Sequence, residues 1–96
     1  MRVVHIDLRG AQERGELHNR LAAALAFPDY YGRNLDALYD CLSEIEIPIH
    51  VHLLLDSENS QISDYAHKIA RVFDDASREY YGFSALWTEL VTPARV

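Results

Sequence analysis

The stretch from Ile47 to Leu55 constrains this chain most. Ile47, Ile49, Val51, Leu53 and Leu55 alternate with Pro48, His50, His52 and Leu54, the period of an extended strand with one apolar face. Val3 to Leu8 alternates in the same way, with Val4, Ile6 and Leu8 set against Val3, His5 and Asp7. Phe83 to Leu90 reads as a third strand, with Phe83, Ala85 and Trp87 on one side. Helical patterns lie between them. Glu13 to Ala26 carries Leu17, Leu21, Ala24 and Leu25 on one stripe, and it ends before Pro28 because the residue preceding a proline is pushed out of the helical region. Gln61 to Tyr80 carries Ile62, Tyr65, Ala66, Ile69, Ala70, Val72, Phe73 and Ala76, a broad apolar face.

Strands joined through helices return to the same end of a sheet, so the sheet is expected to be parallel. One face carries Val4, Ile6, Ile49, Val51, Leu53, Ala85 and Trp87; the other carries His5, Asp7, His50, His52, Ser84 and Thr88. An apolar face to cover and a polar face left wet predict a two-layer α/β domain: a three-stranded parallel sheet with three to four helices. At 96 residues there is room for one core. Residues 1–90 are read as that domain. Residues 91–96, which include Pro93, are read as a frayed tail.

Charge narrows the partners. Nine basic residues against fifteen acidic ones give a formal charge of -6. Nucleic acid and anionic membrane both select basic surfaces, so a cationic partner is expected instead. The start Met1-Arg2-Val3-Val4-His5-Ile6-Asp7 lacks the apolar core of a signal peptide. A single cysteine suits a reducing compartment, and the cytoplasm is the expected location. Cys41 is read as a buried structural thiol, since Asp40 and Glu44 raise rather than lower its pKa.

The segment from Tyr30 to Leu42 is a loop feeding a short helix. Asn34 is the expected N-cap, and Gly32 permits a close approach beside it. Leu35, Leu38 and Leu42 form an apolar stripe. Asp36 and Asp40, four apart, share a different face and repel each other. The residues four before and four after Asp40 are Asp36 and Glu44, so no cation on the helix offsets it. A carboxylate late in a helix also opposes the macrodipole. Tyr30 and Tyr39 flank the acids, and tyrosine is enriched at interface hot spots. The bland alternative is a solvated helix face.

The run Pro28-Asp29-Tyr30-Tyr31-Gly32-Arg33-Asn34-Leu35-Asp36-Ala37-Leu38-Tyr39-Asp40-Cys41-Leu42 closely resembles the signature segment of the barstar family, bacterial intracellular inhibitors of the ribonuclease barnase. A looser similarity in the order and length of elements spans roughly residues 1 to 90. The resemblance implies the compact α/β fold and a monomer that binds a basic secreted ribonuclease one to one. It implies that Asp40 mimics a phosphate and accepts hydrogen bonds from cleft arginines and a catalytic histidine. Asp36 would pair with a second cation, and Tyr30 would stack on the nuclease. Asn34, Leu35, Tyr39 and Ser43 would complete the contact surface, and Asp75 and Glu79 would supply edge contact and long-range field. There are departures. Tyr39 stands where the family commonly has tryptophan, Arg33 where an acid is common, Ser43-Glu44 in place of a Gly-Trp-type continuation, and Tyr80-Tyr81 are extra before Gly82.

Two other readings compete with an inhibitor. In one, Asp36 and Asp40 form an acid–base dyad or a magnesium site, but the chain carries no Gly-rich phosphate loop, no H-E-x-x-H and no nucleophile elbow. No enzymatic activity and no cofactor are therefore expected. In the other, the same face is an acidic binding module or immunity surface for a basic partner that is not a ribonuclease. His5, His50 and His52 invite a metal reading, yet no fourth ligand stands at a recognisable spacing. They are read as polar surface residues, with no metal expected.

Overall fold

The computed structural model describes residues 2–45, 49–56, 61–79 and 86–92. Its elements in chain order are β1 (Arg2–Asp7), α1 (Arg14–Leu25), α2 (Leu35–Ser43), β2 (Ile49–Asp56), α3 (Gln61–Glu79) and β3 (Leu86–Thr92). The strands form one sheet in the order β1-β2-β3, and both pairings are parallel. Ile47, Pro48, Tyr80 to Ala85 and Pro93 to Val96, which bore part of the sequence reading, lie outside the described residues.

The alternation along the strands does what its period requires. Val4 and Ile6 in β1, and Ile49, Val51, Leu53 and Leu55 in β2, are buried, whereas His5 and Asp7 are exposed and His50 and His52 are half-buried. The buried face meets Leu17 and Leu21 of α1, Leu38 and Leu42 of α2, and Ile69 and Phe73 of α3 in one apolar cluster. These six side chains are fully enclosed, and truncating a leucine at such a site costs about 2–5 kcal/mol. The helices of the described residues thus cover one side of the sheet and leave the other to solvent.

α1 ends at Ala26, where its pattern places the end, and Ala26 adopts a left-handed conformation with φ 57°. That turn lets the Phe27 N–H reach the Ala22 carbonyl at 3.0 Å, closing the helix as a C-terminal cap. α2 runs one residue past Leu42 to include Ser43. The third strand ends later than its pattern indicated. Val91 and Thr92, expected in the tail, pair with Leu55 and Asp56, because β2 itself continues to Asp56 and its parallel partner is carried along with it.

Candidate partner-binding site

The site is built on α2 and the loop before it. Asn34 is extended in backbone, and its Oδ1 accepts from the Ala37 N–H at 2.7 Å. This satisfies one of the donors that a helix start leaves open. The Asn34 amide also donates to the Gly32 carbonyl at 3.3 Å. Gly32 faces the first turn so closely that a Cβ there would stand 3.2 Å from the Ala37 Cβ. A Cβ at position 32 would require the Ala37 methyl to give by a few tenths of an ångström.

Two adjacent tyrosines then part company. Tyr31 is buried at 4% exposure, whereas Tyr30 is 83% exposed. The Tyr31 hydroxyl lies 2.6 Å from His18 Nδ1, and His18 Nε2 lies 2.7 Å from the Tyr65 hydroxyl. His18 is fully buried. Burial pushes its pKa down, and the nearby Arg33 charge acts in the same direction. Burial pushes the Tyr31 hydroxyl well above the usual phenol range. This three-residue bridge joins α1, the site loop and α3. Reading by motif passes over His18, although its place between Leu17 and Leu21 on the apolar stripe of α1 is visible in the sequence.

Arg33 takes a left-handed backbone with φ 53°. Its Nε donates to Asn19 Oδ1 at 2.7 Å and its NH1 to the Tyr31 carbonyl at 3.5 Å. The positive charge that the sequence places beside the acids is therefore tethered to α1.

Asp36 and Asp40 are both exposed. Asp36 lies in the first turn of α2, where the helix dipole favours a carboxylate, and Asp40 lies in the latter half, where it does not. Among the described residues, ion pairs join Arg9 to Asp7, Arg20 to Glu16 and Arg78 to Asp74; neither Asp36 nor Asp40 has a cation partner. The opposite side of α2 anchors them, since Leu38 and Leu42 are fully buried and Leu35 and Tyr39 pack partly against the core. Ser43 is half-buried, and its hydroxyl donates to the Asp40 carbonyl at 2.6 Å.

Between loop and helix lies an open notch of about 230 Å³ lined by Tyr30, Tyr31, Gly32, Ala37, Asp40, Cys41 and Glu44. The Cys41 thiol is pushed up by burial first and then by Glu44 and Asp40, the direction its neighbours imply. Asp75 and Glu79 are exposed on α3, the helix that packs against α2, and neither lines the notch. Asp74, next to Asp75, is bound to Arg78 at 2.8 Å. The structure thus gathers Tyr30, Asn34, Asp36 and Asp40 on one loop–helix unit. Such a surface can accept charge-assisted hydrogen bonds from guanidinium or ammonium groups and offer a phenol ring for stacking.

The family model described as Barstar (barnase inhibitor) matches residues 1–90. A Bacillus subtilis (strain 168) protein named "Putative ribonuclease inhibitor YrdF" is 40% identical over 81 residues, covering 82% of this chain and 89% of that one. A match of that length, carried by a parallel α/β sheet with three helices on one side, means that this chain belongs to the barstar family.

Proposed function

We propose that the chain inhibits a basic ribonuclease by seating α2 and the Tyr30–Asn34 loop in the enzyme's active-site cleft. One observation carries this reading: Asp36 and Asp40 are exposed on a capped, core-anchored helix with no cation partner among the described residues. A cleft that binds a phosphodiester presents arginine, lysine and histidine side chains. Asp40 stands where a phosphate would sit, Asp36 pairs with a second cation, and Tyr30 stacks on an exposed ring of the enzyme. Asn34, Leu35, Tyr39 and Ser43 surround the charges and exclude water, which strengthens each pair. Asp75 and Glu79 steer the approach from α3. The complex is one to one, forms in the cytoplasm and involves no chemistry by the inhibitor.

The test is titration of a purified microbial ribonuclease with the chain, reading RNA cleavage. Loss of cleavage at one equivalent, with Asp40→Ala requiring a large excess, is the expected result. Undiminished cleavage at saturating chain, together with capture of a basic toxin lacking ribonuclease activity, would transfer the same acidic face to that second class of partner.

A further inference from the structure

The open face of the sheet carries a feature that the partner-binding site does not use. His5 of β1 and His52 of β2 are register partners, and their rings stack at 4.8 Å between centroids with planes 14° apart. His50 stacks on the other side of His52 at 4.3 Å and 25°. His52 is therefore the middle ring of a three-ring column that crosses from an edge strand to the central strand. Face-to-face rings are poorly disposed to converge on one metal ion, and among the described residues no three His, Cys, Asp or Glu side chains are placed to hold one.

A column of imidazoles accepts one proton far more readily than two. Neighbouring imidazoliums at this separation repel. On β1, Asp7 shares the face but is bound by Arg9 at 2.9 Å, and Arg20 donates to its backbone carbonyl at 3.0 Å. On β2, Leu54 and then Asp56 follow at the same parity. The β3 positions in register with this face are Leu86, Thr88, Leu90 and Thr92, none of them ionisable. The helices pack on the opposite side of the sheet. The His52 imidazole is held below the usual histidine range, by desolvation first and then by His50 and His5.

We propose that His5, His50 and His52 form a proton-responsive ladder that loosens the pairing of edge strand β1 with β2 as the medium acidifies. A histidine whose folded pKa is lowered binds its proton more readily in the unfolded chain. Its contribution is therefore present above the ordinary imidazole value and is lost as pH falls through it. The ladder places that loss at β1.

Ring-proton NMR across about pH 7.5 to 5.5, the span of imidazole titration, reads the coupling directly. His52 is expected to titrate below the ordinary value and to move up toward it in His5→Gln and in His50→Gln. Amide exchange, corrected for its intrinsic pH dependence, is expected to accelerate several-fold more at β1 than at α3 on acidification. That excess is expected to shrink in the His5→Gln/His52→Gln double variant, whose changes lie on the wet face. If the double variant does not fold, His50→Gln alone serves for the exchange comparison. A His52 titration that moves in neither single variant, or β1 exchange that tracks α3 in both proteins, would overturn the proposal. Neither readout involves a nuclease.

Discussion

The hydroxyl of Tyr31 lies 2.6 Å from Nδ1 of His18, inside the core, and this contact roots the loop from which Tyr30 projects. A neutral imidazole can serve two hydroxyls at once, donating through one ring nitrogen and accepting at the other. His18 does this for Tyr31 and Tyr65, so three segments distant in sequence share one buried polar knot. Its removal is expected to be felt at the binding surface as well as in stability. Tyr31→Phe leaves one buried ring nitrogen without its partner, a loss of about 1–3 kcal/mol. Urea unfolding measures that loss, and Tyr30 ring resonances report whether the loop has shifted.

Acid should act on the same knot. Burial lowers the His18 pKa in the folded state, so the unfolded chain takes up the proton first. Stability is expected to be flat above the ordinary histidine value of about 6.5 and to decline as pH falls below it. Urea midpoints across that range check the direction. The decline should persist in His5→Gln/His52→Gln, because His18 lies in the core and the ladder lies on the opposite side of the sheet.

Asn34 serves the fold and the surface together. Asn34→Ala removes the 2.7 Å acceptor for the Ala37 N–H, and loss of such a cap costs about 1 kcal/mol. Asn34→Asp or Asn34→Ser restores an N-cap acceptor without the amide that donates to Gly32. Thermal unfolding is expected to show recovery in both. Partner affinity should recover only in part, because the loop carbonyl is left without that donor.

The exposed acids should divide by position. Asp40→Ala is expected to weaken partner binding most and Asp36→Ala next. A lost charge-assisted hydrogen bond of about 2 kcal/mol corresponds to roughly thirty-fold in Kd. Asp75→Asn and Glu79→Gln, on α3 and outside the notch, should instead slow association at low salt and have little effect at high salt, where charge steering is screened. Stopped-flow association at two ionic strengths separates the two classes.

Much of the fold is legible in the residue order because each strand writes its period plainly. Val4 and Ile6, and Val51, Leu53 and Leu55, turn inward as a period of two demands. The Asn34 cap is legible for the same reason, since an asparagine before an amphipathic run has one common use. What the order does not show is long-range. The His18–Tyr65 contact spans 47 positions, and no local pattern marks it. The Arg33–Asn19 bond spans 14; a charge placed by sequence beside Asp36 is redirected by a partner on another helix. The end of β3 is hidden likewise, because it depends on where β2 stops and not on the residues of β3 alone.

α2 packs against α3, and its Leu38 and Leu42 enter the shared core. Its inward residues lock it in place, while Asp36 and Asp40 point outward with no cation partner among the described residues. The strip bearing Asp36 and Asp40 is therefore a replaceable faceplate: new side chains there would leave the sheet's hydrogen bonds intact. A scaffold of this kind can be re-aimed at a different enzyme by changes along two turns of helix.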